Sequence, residues 1–153
     1  MLCAERGAEG SARLLLDHDA DTTVRDAKGY TVLHHAVNSP PLFQLLLKQN
    51  GIPVDVADAL GLTPLMMAAK DGNAKVVKML LRRGANVAAI DKFGRSALHH
   101  SVSSLSEEVL KLLLDTGKSD LEAREKFGYT ALDLAKQMRD GKKMVECLEK
   151  YAK

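Results

Sequence analysis

The sequence predicts an all-α solenoid, a stack of short helix-turn-helix units, on three observations. The first is a recurring signature: Asp26-x-x-Gly29-x-Thr31-x-Leu33, Asp58-x-x-Gly61-x-Thr63-x-Leu65, Asp91-x-x-Gly94-x-Ser96-x-Leu98 and Glu125-x-x-Gly128-x-Thr130-x-Leu132, with steps of 32, 33 and 34 between glycines. Such a period is the mark of a repeat architecture. The second is a pair of landmarks downstream of the signature. A small residue stands three places after the leucine, at Ala36, Ala68, Ser101 and Ala135, and a leucine pair recurs later, at Leu46-Leu47, Leu80-Leu81 and Leu113-Leu114. The third is length: the helical segments between turn signals run to about seven to ten residues, too short to be stable alone in water. They must bury their apolar faces by stacking on one another.

Each element of the unit has a physical reason. The recurring glycine suits a turn with positive φ, a conformation that strains residues bearing a side chain. Thr31, Thr63, Ser96 and Thr130 stand where a hydroxyl caps a new helix, and Pro64 takes the favoured first helical position. The alanine-sized residues of that helix let neighbours approach closely. The second helix is clearest at Ala74 to Leu81, with apolar residues at 76, 77, 80 and 81 forming one buried face. Repeat two is shortened, Asn38-Ser39-Pro40-Pro41 replacing Lys70 to Lys75, so its second helix is expected to begin abruptly after Pro41. Repeats two and four run one residue longer before the next loop, at Gly51-Ile52-Pro53-Val54 and Gly117-Lys118-Ser119-Asp120. In the last unit the leucine pair becomes Leu148-Glu149 and the sequence ends Lys150-Tyr151-Ala152-Lys153, which reads as a polar C-terminal cap. Counting back one unit, Leu15-Leu16, Ala20-Asp21 and Asp26 form the tail of an incomplete repeat that starts at Met1 partway through its first helix. The expectation is one domain: a partial repeat 1–25 and repeats 26–57, 58–90, 91–124 and 125–153, as the C-terminal part of a longer array or with a frayed N-terminal end.

Gly61-Leu62-Thr63-Pro64-Leu65-Met66-Met67-Ala68-Ala69, followed by Val76-Val77-Lys78-Met79-Leu80-Leu81 and Gly84-Ala85, resembles a nearly complete ankyrin repeat. The resemblance implies helix pairs with hairpin-like loops projecting sideways, stacked into a curved slab whose usual activity is protein recognition. Repeat two departs from the pattern with Val32 where proline is common. In the pairs His34-His35 and His99-His100, the first histidine matches the usual repeat histidine, which the resemblance implies ties loop to helix by hydrogen bonds. The second, at the variable first-helix position, is implied to contact partners.

Composition narrows the classes. The chain has 153 residues, 16.6 kDa, a net charge of +2, 46% hydrophobic, 27% charged and 4% aromatic residues. This is an ordinary globular balance for one domain, unlike that of chains unable to bury a core. Apolar runs such as Leu45 to Leu47 and Val87 to Ile90 fall far short of the roughly 20 residues of a membrane span. The first residues lack the basic and apolar regions of a secretory signal, so a cytoplasmic or nuclear protein is expected. Cys3 and Cys147 are far apart in sequence and are read as buried, inert thiols.

Chemistry-bearing patterns are sparse. Adjacent histidines on a helix point about 100° apart, so neither pair clamps one metal ion well. Asp17-His18-Asp19-Ala20-Asp21 opens like a calcium loop, but Thr22 stands where the sixth-position glycine belongs and Lys28 where the twelfth-position acid belongs. No phosphate-binding glycine loop, zinc-protease helix or nucleophile elbow occurs. Lys75, Lys78, Arg82 and Arg83 form a basic face on one helix, but its counterpart in repeat four carries Glu107, Glu108, Lys111 and Asp115, which argues for a solvated surface rather than nucleic-acid binding. The sequence therefore points to no catalytic, cofactor or metal site, and to no nucleic-acid or membrane partner.

Aligned by their loops, the tip positions and the exposed first-helix position read Ala27, Lys28, Tyr30, His35; Ala59, Leu60, Leu62, Met67; Lys92, Phe93, Arg95, His100; and Lys126, Phe127, Tyr129, Leu134. Four of the six aromatic residues fall here and no acid does. Stacking would join these positions into one concave strip, apolar and aromatic with a basic surround, the composition of an interaction hot spot. Packing of Leu60, Phe93 and Phe127 against one another is the alternative for those three. The strip is expected to bind a protein segment with apolar anchors and acidic character, making the chain a non-catalytic, monomeric adaptor or scaffold module. The alternatives are a structural spacer or C-terminal cap of a longer repeat protein, or a regulatory domain of an enzyme.

Overall fold

The computed structural model describes residues 9–49 and 51–152. Among them are α1 (Glu9–Asp17), α2 (Val32–Ala36), α3 (Pro40–Leu47), α4 (Pro64–Lys70), α5 (Ala74–Arg82), α6 (Ala97–Ser103), α7 (Glu107–Leu114), α8 (Ala131–Gln137) and α9 (Lys142–Tyr151). The described residues contain no strand, only an isolated bridge between Ile90 and Ser96. Cys3, Lys153 and the expected partial helix at Met1 lie outside the described residues.

The helices form two rows. First helices pack in the order α2, α4, α6, α8, second helices in the order α1, α3, α5, α7, α9, and each repeat closes by packing its own two helices together. The fold is an all-α solenoid, as the period predicted. Its core is the seam between the rows, where Leu33, Leu42, Phe43, Leu46, Leu65, Val76, Val77, Leu80, Leu98, Leu110, Leu113 and Leu148 are all at or below 1% exposure. Ala36, Ala68, Ser101 and Ala135 are fully buried, because any larger side chain there would hold the first helices apart.

The helix starts use the expected hydroxyls, with a difference. Thr63 and Thr130 accept from the backbone N–H of Met66 and Asp133, as N-caps do. Thr31 and Ser96 hold the same position but direct their hydroxyls at a histidine ring nitrogen three residues on. α3 starts two residues earlier than expected, with Pro40 and Pro41 in the first turn. Proline has no N–H to leave unpaired there, and Ser39 before it lies outside the helical region (φ −124°, ψ 85°), as a residue preceding proline prefers.

Candidate functional site

The row of loop tips is built by one acid per repeat. Asp91 shows the pattern: its Oδ1 accepts from the backbone N–H groups of Phe93 and Arg95 at 2.8 and 2.9 Å, and the Asp91 N–H donates to the Arg95 carbonyl at 2.9 Å. Asp26, Asp58 and Glu125 make the same pair of side-chain contacts two and four residues on. Successive tips are then joined by backbone bonds: Ala59 N–H to Lys28 O, Lys92 N–H to Leu60 O and Lys126 N–H to Phe93 O, at 2.8 to 2.9 Å. Gly29 is required at such a crossing: its φ is +80°, and a Cβ there would sit 2.7 Å from the Ala59 nitrogen.

Histidines brace the tips in two ways. The Thr31 N–H donates to His34 Nδ1 at 3.0 Å, which leaves Nε2 to carry the ring proton and donate to the Leu62 carbonyl of the next tip at 3.0 Å. His99 repeats this between Ser96 and Tyr129. The implied tie of loop to helix is thus present, and it crosses from one repeat to the next. Asp133 holds Thr130 in the same way, with its carboxyl kept low by the Thr130 N–H and hydroxyl. His35 and His100 form a second brace, donating from Nε2 to Asp26 and Asp91 at 2.9 and 3.0 Å.

These braces correct part of the expected strip. His100 (4% exposed) and Leu62 (8%) are buried rather than presented on the surface. Burial lowers the His100 pKa, and the ring serves Asp91 instead. Arg95 is half-buried and ion-paired with Asp91 through Nε and Nη2 at 2.9 Å, with its guanidinium 4.9 Å from the centre of the Phe93 ring. Tyr30 stacks on His34 and meets His35 edge-on, both at 5.4 Å. His35, Met67 and Leu134 are half-buried on the first-helix row. The side chains that face solvent are Leu60 (50%), Phe93 (37%), Phe127 (77%) and Tyr129 (41%), with Lys28, Lys92 and Lys126 exposed beside them.

The acids explain why that surface is basic. Asp58, Asp91 and Glu125 are buried beneath the tips and occupied by backbone N–H groups, while Lys28, Lys92 and Lys126 have no ion-pair partner among the described residues. The sequence singled out the apolar and cationic tips but missed the Asp–His brace. A signal was present: the acid and a histidine nine residues later occur together in repeats two and four, whereas repeats three and five pair their acids with Met67 and Leu134.

No group of three or more histidines, cysteines or acids able to hold a metal ion occurs among the described residues. No helix of the described residues is long and apolar enough to cross a membrane. Cys147 is buried, and burial pushes its thiol up.

Comparison with known proteins agrees with the geometry. The family model for ankyrin repeats, in three copies, matches residues 1–91. The chain is 34% identical over 115 residues to neurogenic locus notch homolog protein 1 of Xenopus laevis, covering 74% of this chain and 5% of that protein. It is 37% identical over 129 residues to putative palmitoyltransferase ZDHHC13 of Danio rerio (81% and 20%), and 38% identical over 124 residues to B-cell lymphoma 3 protein of Homo sapiens (76% and 27%). The chain thus spans about a twentieth to about a quarter of the length of these relatives.

Proposed function

The chain belongs to the ankyrin-repeat family, and from that premise we propose that it is a non-catalytic recognition module whose tip row binds a protein segment with apolar anchors and acidic residues. One observation carries the reading: apolar side chains at Leu60, Phe93, Phe127 and Tyr129 stay in water along a row whose acids Asp58, Asp91 and Glu125 are buried beneath it. Exposed aromatic side chains beside unpaired lysines complement an acidic partner with apolar side chains. Leu62 and His100 are left out of the surface, and Arg95 acts mainly through Asp91. The likeness to a protein named as a putative palmitoyltransferase favours a second reading, in which the same row holds a protein for an attached enzyme.

The test is a pull-down from lysate, then a direct affinity measurement with the protein it identifies. Wild type runs beside a Leu60→Ala, Phe127→Ala, Tyr129→Ala variant, both shown folded by circular dichroism. These three side chains are exposed, so each truncation should change stability by no more than about 0.5 kcal/mol. Loss of the partner in the variant alone supports the reading. A folded wild type that retains nothing specific, or a partner held equally by both, overturns it in favour of a structural spacer.

A further inference from the structure

The outer row of helices carries a second surface with its own chemistry. A groove of about 400 Å³ runs between α3 and α5, with Pro40, Pro41 and Gln44 as one wall and Met79 opposite. Lys75, Lys78 and Arg82 rim it, and Lys48 and Arg83 extend the rim where the groove continues past Leu47. Among the described residues no acid lines either part.

Only Lys78 is paired, reaching across to Glu108 on α7 at 2.6 Å. Lys48, Lys75, Arg82 and Arg83 are exposed and have no hydrogen-bond or ion-pair partner among the described residues. Cations crowded on neighbouring turns repel one another, and an anionic partner would relieve that repulsion. The groove between α7 and α9 is different. It mixes Glu107 and Glu146 with Lys111, Lys143 and Lys150, and Glu107 pairs with Lys111 at 2.5 Å.

The arrangement selects among anions. Lys75 and Arg82 lie two turns apart, about 10 Å along α5, so positive charge sits at both ends of the groove rather than converging on one point. That suits several single carboxylates better than one phosphate group. The floor is apolar, with Leu47 buried and Met79 half-buried, and a methionine thioether adapts to varied side chains. No aromatic side chain among the described residues lines the groove for base stacking, and Glu107, Glu108 and Asp115 interrupt the basic face on the next helix.

We propose that the α3–α5 groove docks a short acidic segment of a partner protein, seating one apolar side chain on Met79 with carboxylates at Lys75 and at the Lys48, Arg82 and Arg83 end. The site lies on the outer helix row, is separate from the tip row, and stands whether or not the tip row binds.

The test is fluorescence anisotropy of the full chain with a dye-labelled Glu-Glu-Asp-Leu-Glu-Glu peptide, together with the methyl NMR signal of Met79. Three variants are compared: Lys75→Glu with Arg82→Glu in the groove, Lys143→Glu with Lys150→Glu as an equal charge change elsewhere, and the Leu60, Phe127, Tyr129 tip variant. The expected result is a loss of about tenfold or more in the groove variant, changes within about twofold in the other two, and a Met79 shift on binding. Equal weakening by the Lys143 and Lys150 pair overturns the proposal as general charge attraction. Loss in the tip variant alone moves the binding to the tip row and overturns it, as does no measurable binding. Phosphatidylserine vesicles or a single-stranded oligonucleotide binding more tightly through Lys75 and Arg82 would replace the peptide with a membrane or a nucleic acid.

Discussion

At each tip a carboxylate holds the turn and a histidine ring braces it, so protonation couples directly to stability. Burial lowers the pKa of His34, His99 and His100 below 6.5, outweighing the hydrogen bonds that pull it up. Burial would raise Asp91, but the N–H groups of Arg95 and Phe93 and the side chains of His100 and Arg95 hold it below 3.8. The unfolded chain takes up protons on these imidazoles near pH 6.5 while the folded chain resists, so stability is full above that value and falls as pH drops below it. The Asp91 contribution persists until pH falls below 3.8 and is lost there. Urea midpoints should therefore hold steady from about pH 8 to 7 and decline below about 6.5, with a shallower decline in His100→Gln. A midpoint flat to about pH 5 would exclude this coupling. Glycines offer a second comparison. Gly84 (φ +76°) has nothing within 4 Å of a built Cβ, whereas at Gly29 that Cβ would meet Ala59 N at 2.7 Å. Gly84→Ala should cost about 1–2 kcal/mol from backbone strain, and Gly29→Ala clearly more, by chemical denaturation. The turn glycines were legible in the sequence as a repeated letter. The inward turn of Leu62 and His100 was not, because it depends on which side chain the neighbouring tip covers.

Helix pairing shows how elements of different repeats are fastened together. Asn73 caps α5 by accepting from the Val76 N–H, and its Nδ2 donates to the Val37 carbonyl just past the end of α2, at 2.8 Å. One side chain thus starts a helix and closes the exposed end of another. Asn73→Asp keeps the cap and loses only the amide donor, so urea denaturation should show a cost of about 0.5–1.5 kcal/mol. Asn73→Ala removes both bonds and should cost about 1 kcal/mol more. Equal costs for the two variants would mean that the cap on Val76 contributes nothing, and a costless Asn73→Asp would mean the same of the bond to Val37. Helix positions were readable from the Thr-x-Leu and Leu-Leu landmarks, since apolar spacing fixes which face turns inward. The Val37 contact was not, because it joins positions 36 residues apart and arises only in the shortened turn of repeat two. The outer groove escaped notice for a related reason: its cations were visible on α5, but its other wall comes from Pro40, Pro41 and Gln44 on α3.

Over the whole molecule, stability is a sum of repeats and the interfaces between neighbours, so it should vary along the stack. The middle repeats have a neighbour on each side: α7, for example, packs on α5 and α9 as well as on α6. There Leu65, Val76, Val77, Leu80, Leu110 and Leu113 are completely buried. α1 buries only Ala12, leaves Leu14 and Leu15 at 61% and 48% exposure, and packs chiefly on α3. Local opening of α1 therefore breaks few contacts, while opening of α5 or α6 breaks interfaces in both directions. Hydrogen exchange should find the amides of α1 least protected and those of α4 to α7 exchanging only through global unfolding. Leu110→Ala, at a fully buried site between neighbours, should cost about 2–5 kcal/mol and lower protection in every repeat. Leu14→Ala should leave protection in α4 to α7 unchanged, because its side chain is already in water. Uniform protection from α1 to α9 in the wild type would mean that the array opens as a single unit. In that case the nearest-neighbour description fails, and the tip row and the outer groove would report on the same unfolding event rather than on separate surfaces.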